Sequence, residues 1–207
     1  MILKLFLCSY LAGTSALLPR FMGADLKGKS VAFIPTASLN EAYKDYVKEG
    51  RQALQALGLK VEELEVTTKT KTEIAEILNR TDLICVMGGN TFFLLQELKR
   101  SGADILIRQQ IEKGKPYIGE SAGSIIVAPN IEYIRLMDDT TAAPQLKTYD
   151  ALGIVDFYPL PHYQSEPFEA AADEIIKQYS HLDLRPFTNA QVLMIDGNSV
   201  KLEHVEK

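Results

Sequence analysis

The feature that most limits what this chain can become is an alternation. Short apolar runs are separated, over most of the length, by stretches whose apolar residues recur at helical spacing. The runs that read as strands are Ile2–Ser9, Ser30–Pro35, Lys60–Val66, Leu83–Met87 and Pro116–Gly119. Others follow around Ile131–Ile134, Gly153–Leu160, Val192–Ile195 and Ser199–Val205. Between them, Glu41–Leu57 places Ala42, Tyr46, Val47, Ala53, Leu54 and Leu57 on one helical face, with Gly58 as the stop signal. Phe168, Ala171, Ala172, Ile175, Ile176 and Tyr179 repeat the pattern after Ser165 and Pro167. Strands that alternate with helices call for right-handed crossovers and a mostly parallel sheet covered on both faces, an α/β fold. Met137–Asp150 is polar and irregular and reads as a surface loop, whereas Ser199–Lys207 alternates as an antiparallel edge strand would. With 207 residues and no linker-like boundary, residues 1–207 are expected to form a single domain.

Charge and composition exclude several function classes. The net charge is −5 and basic residues are scattered, so a nucleic-acid surface is not expected. No apolar stretch approaches the roughly 18 residues of a membrane-spanning helix. Met1–Leu18 superficially resembles a secretory signal, but Cys8, Ser9 and Tyr10 interrupt the apolar run after Leu7, and a buried first strand is the better reading. Cys8 and Cys85 both lie in strand-like runs and read as small core hydrophobes, which points to a reducing, cytoplasmic setting.

In parallel α/β sheets, ligands bind beyond the carboxyl ends of the strands, so strand-to-turn junctions are where chemistry is sought. Gly119-Glu-Ser-Ala-Gly123 is such a junction, preceded by an apolar run and followed by the small-residue run Ser124–Ala128. This is Gly-x-Ser-x-Gly at a strand-to-helix turn, a context that projects the Ser121 hydroxyl from a sharp corner and aims the free N–H groups of the next helix at a developing oxyanion. Met87-Gly-Gly-Asn90 closes another strand, and its paired glycines let backbone amides approach a ligand. The Gly89 and Ala122 N–H groups are therefore the expected oxyanion donors.

A serine hydroxyl needs a base. Of the three histidines, His204 lies in the charged tail and His181 at a helix end, whereas His162 follows the apolar run Gly153–Pro161 at the exit of a strand. His162 is the expected general base. A third group should orient its ring, and Asp138, Asp139, Asp156 and Glu120 are all available, with nothing in their spacing to choose between them. The scattered histidines and the absence of Cys-x-x-Cys give no metal site, and no phosphate-binding glycine motif is present, so neither a metal nor an organic cofactor is expected.

Taken together, Phe33-Ile-Pro-Thr-Ala37, Val86-Met-Gly-Gly-Asn-Thr91, Gly119-Glu-Ser-Ala-Gly-Ser124 with Ala128-Pro129, Asp138-Asp139, Leu160-Pro-His162 and Ile195-Asp-Gly197 resemble the dipeptidase E family of serine peptidases, the alpha-aspartyl dipeptidases related to cyanophycinase. The order of these pieces spans essentially the whole chain. The resemblance implies a three-layer α/β/α fold like that of class I glutamine amidotransferases (flavodoxin-like), with Ser121 in place of their cysteine. It implies Ser121 as nucleophile, His162 as base, Gly89 and Ala122 as oxyanion donors, and Asp138 as the charge-relay residue, or Asp139 if the loop alignment slips by one. Some relatives place an acid on the turn before the last hairpin, and here that position falls near Asn189. The substrate implied is a small peptide, handled by a monomer or homodimer with no nucleic-acid or membrane partner. Aspartyl specificity would need a cation for the substrate carboxylate. Tyr163–Phe168 offers none, and Arg135 is the nearest basic residue in sequence.

Two other readings follow from the same residues. An α/β-hydrolase-type esterase shares the elbow and the Ser…Asp…His order but would need a different oxyanion motif. A catalytically silent binding protein would keep the pocket and lack the acid, as Asn189 suggests.

Overall fold

The structure, a computed structural model, describes residues 3–23 and 25–205. Strands β1 (Lys4–Cys8), β2 (Ser30–Ile34), β3 (Lys60–Glu63), β4 (Leu83–Val86), β5 (Tyr117–Glu120), β8 (Gln191–Asp196) and β9 (Ser199–His204) form one sheet in the order β3-β2-β4-β5-β1-β8-β9. β6 (Tyr158–Leu160) and β7 (Leu184–Pro186) pair separately as a parallel couple. The first five strands run parallel, whereas β8 is antiparallel to β1 and β9 to β8.

Helices cover both faces, as a parallel sheet requires. One side is closed by α1 (Leu11–Thr14), α2 (Leu18–Met22) and α3 (Asp45–Ala56), whose Leu11, Leu18 and Leu54 pack against Phe6, Phe33, Cys85 and Ile118. The other carries α4 (Lys71–Arg80), α5 (Thr91–Ser101), α6 (Ala103–Glu112), α7 (Ala122–Ile125) and α8 (Glu169–Gln178), with Ile74, Leu95, Ile107 and Ile175 packed among Leu5, Ile84 and Tyr117. The alternation of β1 residues between the two clusters (Leu5 and Leu7 against Phe6 and Cys8) is the period-two pleat of a doubly covered strand. This is the three-layer α/β/α arrangement expected. Both cysteines are buried and free, Cys8 donating to the Gly119 carbonyl at 3.3 Å.

Three expectations need correction. Ile131–Ile134 is not a strand: the Asn130 side chain accepts the Glu132 N–H at 2.8 Å, and the chain turns into a short 3₁₀ helix over Glu132–Ile134. Of Gly153–Leu160 only Tyr158–Leu160 is extended into a ladder, because the N–H groups of Leu152, Gly153, Ile154 and Val155 are taken by the carbonyls of Ile126, Val127 and Ala128. Ser165 does not cap α8; the residue at its cap is Phe168, which makes no side-chain capping bond. The first strand is found over Lys4–Cys8, and Ile2 lies outside the described residues.

Candidate active site

The carboxyl ends of β1, β4 and β5 lie side by side, with Cys8 opposite Glu120 and Val86 opposite Gly119. Ser121 leaves β5 with φ 49° and ψ −109°, a conformation that costs a non-glycine residue on the order of 1–3 kcal/mol. Its surroundings enforce it. The Ser121 N–H donates to the Cys8 carbonyl at 2.9 Å, and its own carbonyl accepts from Ser124 at 2.8 Å and Ile125 at 3.0 Å as α7 begins. The two glycines of the motif serve close approach: a Cβ on Gly119 would lie 2.5 Å from the Gly123 carbonyl oxygen, and one on Gly123 2.1 Å from that of Val86. Ser124 Oγ donates into the same corner, 2.9 Å from the Cys8 and 2.8 Å from the Gly119 carbonyl oxygens.

His162 and Asn189 are brought together by the small parallel pair. β6 and β7 run in the same direction in register, Leu160 opposite Pro186, so the segments leaving them emerge at the same end. His162 has φ 62°, fixed by its N–H donating to Ser9 Oγ at 2.9 Å and its carbonyl accepting from Ser165 at 3.1 Å. Ser9 Oγ in turn donates toward the carbonyls of Phe187 and Thr188, tying β1, the His162 turn and the Asn189 turn into one unit. The result is a continuous relay. His162 Nε2 lies 2.9 Å from Ser121 Oγ, and Nδ1 lies 2.9 Å from Asn189 Oδ1. With Nδ1–H donating to the amide oxygen, Nε2 is left as the acceptor for the serine proton. The ring of Phe168 packs over the imidazole, centroids 4.9 Å apart. Burial, partly offset by the Asn189 hydrogen bond, lowers the His162 pKa below its ordinary 6.5 and so favours the neutral ring.

Asp138, the expected charge-relay residue, is engaged elsewhere. Its Oδ2 accepts the Thr91 N–H at 2.8 Å, at the start of α5, where an anion meets unpaired N–H groups and the positive end of the helix dipole. Burial pushes its pKa up to about 6 despite that bond. Asp139 is exposed, accepts from the Thr141 N–H and hydroxyl, and through its carbonyl from Asn90 Nδ2. The residue at His162 Nδ1 is instead Asn189, at the position that the family resemblance had matched to an acid.

Gly89 lines the cleft, and Ala122, fully buried, follows Ser121 as the first residue of α7. Gly89 adopts φ 133°, and a Cβ there would lie 2.2 Å from the Ala37 carbonyl oxygen, so only glycine lets this backbone pass against the Ala37 turn, while a Cβ on the preceding Gly88 would lie 3.1 Å from that of Ser121. Asn90 then caps α5, accepting the Phe93 N–H at 2.9 Å. Among the described residues, neither the Gly89 nor the Ala122 N–H has a hydrogen-bond acceptor. The cleft of about 520 Å³ between these turns is lined by Ser9, Ser121, His162, Asn189 and Phe168 and walled by Ile125, Met137 and the tyrosines 10, 43 and 46.

Glu120, weighed in sequence as an imidazole partner, faces away from that role. It is 1% exposed, and its Oε2 accepts the Leu11 N–H at 2.7 Å. Burial raises its pKa to about 8; the nearby Leu11 and Gly88 N–H groups oppose the rise and the Glu49 charge adds to it. Ser9 and Phe168 were not singled out in sequence. The signal for Ser9 was its place at the carboxyl end of the central first strand; nothing local marked Phe168.

The family model for peptidase family S51 matches residues 9–203 of this chain. An uncharacterised peptidase of Listeria monocytogenes is 48% identical over 198 residues, covering 95% of this chain and 96% of its own length. An uncharacterised peptidase of Pasteurella multocida is 46% identical over 197 residues, 95% of both chains. Peptidase E of Haemophilus influenzae is 34% identical over 122 residues, 59% of this chain and 54% of its own. In three dimensions, the crystal structure of a candidate peptidase E protein from Listeria monocytogenes matches the whole of both chains with a TM-score of 0.95 at 46% identity. That of a peptidase from an acI-B1 actinobacterium, at 21% identity and a TM-score of 0.72, shares the fold. Matched along almost its full length, and carrying a serine elbow on an amidotransferase-like sheet, this chain belongs to peptidase family S51, as a serine peptidase of the dipeptidase E type.

Proposed function

We propose that this peptidase works through Ser121, His162 and Asn189. Ser121 Oγ attacks the peptide carbonyl carbon while His162 Nε2 takes the hydroxyl proton. The negative charge that develops on the carbonyl oxygen is met by the Gly89 and Ala122 N–H groups, whose lack of other acceptors supports this role. The imidazolium passes its proton to the departing amine, and the C–N bond breaks to leave an ester on Ser121. Water then attacks that ester with His162 again accepting a proton, the acid is released, and the hydroxyl is restored.

The observation that carries this reading is the pair of 2.9 Å contacts on the two nitrogens of one imidazole. An asparagine there fixes the ring and its tautomer as an aspartate would, as in the Cys-His-Asn arrangement of papain-like proteases, without adding a full charge to stabilise the imidazolium. Asp138 helps hold α5 and, in this reading, takes no part in the relay. The two buried free thiols support a cytoplasmic setting. Among the described residues no helix is long and apolar enough to cross a membrane. Steady-state hydrolysis of short unblocked peptides tests the assignment. Ser121→Ala and His162→Ala should each lower kcat/KM at least about 10³-fold with the thermal midpoint unchanged within a few degrees. Full activity in Ser121→Ala would overturn it.

A further inference from the structure

Two consecutive residues at the carboxyl end of β1 reach every group of the relay. The Cys8 carbonyl accepts the Ser121 N–H at 2.9 Å and the Ser124 hydroxyl at 2.9 Å, which fixes the corner that carries the nucleophile. Ser9 Oγ reaches the base and its amide. It accepts the His162 N–H at 2.9 Å and shares its own proton between the carbonyls of Phe187, at 3.3 Å, and Thr188, at 3.2 Å, the residue before Asn189. The Phe187 carbonyl also accepts the Tyr163 N–H at 3.1 Å, so the turns of His162 and Asn189 are already joined to each other. The Ser9 hydroxyl joins that pair to the strand lying beside β5, where Cys8 faces Glu120. The His162 backbone, at φ 62°, depends on its surroundings to hold it, and among the described residues Ser9 Oγ is the only acceptor of its N–H. Ser9 is 2% exposed, which leaves solvent little access to these partners.

We propose that Ser9 is a positioning residue for the reaction, and that the single peptide unit between the Cys8 carbonyl and Ser9 sets the reach of His162 Nε2 to Ser121 Oγ. The inference rests on Ser121, His162 and Asn189 acting as the relay. Ser9 forms no bond to the reacting atoms and works only through the turns it holds. Without its hydroxyl, the His162 N–H loses its acceptor and the Phe187 and Thr188 carbonyls lose a donor. The base and its amide then drift together, away from a nucleophile that Cys8 still holds in place. The cleft walls formed by Ile125, Met137 and Tyr46 have no part in these bonds. Proton transfer is therefore impaired and peptide binding is not, a loss confined to the transition state.

Steady-state hydrolysis of a short unblocked peptide, with the rate of fluorophosphonate labelling and the thermal midpoint measured on the same samples, tests this. Ser9→Ala should lower kcat about tenfold to a hundredfold, with KM unchanged within about threefold. Labelling of Ser121 should slow by the same factor, because it needs the same base. Ser9→Thr keeps the hydroxyl and should recover kcat to within about threefold of the unsubstituted protein, a rescue that filling the space alone does not give. Ser9→Cys, close in size but a weak hydrogen-bonding group, should show the loss seen with alanine and serves in its place if the alanine variant does not fold. Unchanged kcat in the folded alanine or cysteine variant, a rise in KM with kcat intact, or a threonine variant as impaired as alanine would overturn the proposal. The relay itself is read separately, from labelling of the unsubstituted protein and its slowing in His162→Ala. If those hold while the Ser9 variants label at the parent rate, the positioning role fails and the relay stands; if the unsubstituted protein does not label, both fall.

Discussion

At the scale of single residues, the chemistry turns on what sits at His162 Nδ1. Asn189 holds the ring by a 2.9 Å hydrogen bond but brings no charge, and burial lowers the imidazole pKa. The acid limb of kcat/KM should accordingly lie below pH 6.5, because the base is active only when neutral. Asn189→Asp places a carboxylate at the same atom, which favours the imidazolium. That variant should move the limb to higher pH, whereas Asp138→Asn should leave it where it is; a profile that shifts in the Asp138 variant and not in the Asn189 variant would contradict the geometry. Asn189→Ala frees the ring and should cost roughly tenfold to a hundredfold in kcat/KM. The meeting of Ser121 with His162 was legible in the sequence because each follows an apolar run, and strand ends are where such sheets bind ligands. Asn189 was reached only through the family resemblance, as one of several candidates beside Asp138 and Asp139. Asp138 has the chemistry of a triad acid but is drawn to the N-terminus of α5, an attraction that depends on where two distant segments meet and leaves no local mark.

Among the elements, the elbow shows how packing makes a motif necessary. Gly119 and Gly123 have ordinary φ values, and their side-chain-free surfaces are needed because the backbones of β4, β5 and α7 touch there. Gly123→Ala should therefore destabilise by about 1–3 kcal/mol in chemical denaturation, and the displaced elbow should lose activity beyond that expected from stability. A fully stable, fully active Gly123→Ala protein would mean that α7 can shift without consequence. Helices α3 and α8 and the core strands were readable from periodicity, whereas α4 and α6 were not singled out. α4 had a further signature, since Thr70-Lys-Thr-Glu73 forms a capping box in which the Thr70 side chain accepts the Glu73 N–H and Glu73 accepts the Thr70 N–H. Thr70→Ala should lower stability by about 1 kcal/mol. The irregular path of residues 152–157 was not readable, because its N–H groups are satisfied by carbonyls just beyond α7, a partnership that periodicity does not report. The β6–β7 pair was half visible: β6 lies in an apolar run, but Leu184-Arg-Pro186 has neither the length nor the alternation of a strand and is extended because β6 pairs with it.

For the molecule as a whole, the sheet order places the ends of β1, β4 and β5 together and leaves β6 and β7 to carry the imidazole and its amide to that point. The arrangement buries Glu120 at the centre, and this couples the site to overall stability. Its carboxyl, ordinarily at 4.5, is raised to about 8, so the folded chain holds a proton that the unfolded chain has lost between those values. The Glu120 contribution is fully present below about pH 4.5 and is lost as the pH rises through about 8. Denaturant midpoints should thus fall across that window, and Glu120→Gln should flatten the slope; an unchanged slope would show that this carboxyl is ionised in the folded protein. The account as a whole depends on one hydroxyl being activated by one imidazole. Intact-mass measurement after exposure to a fluorophosphonate tests that most directly. It should find a single adduct per chain, mapped to Ser121, absent from Ser121→Ala and formed far more slowly in His162→Ala. An unlabelled protein, or an adduct at another residue, would contradict it.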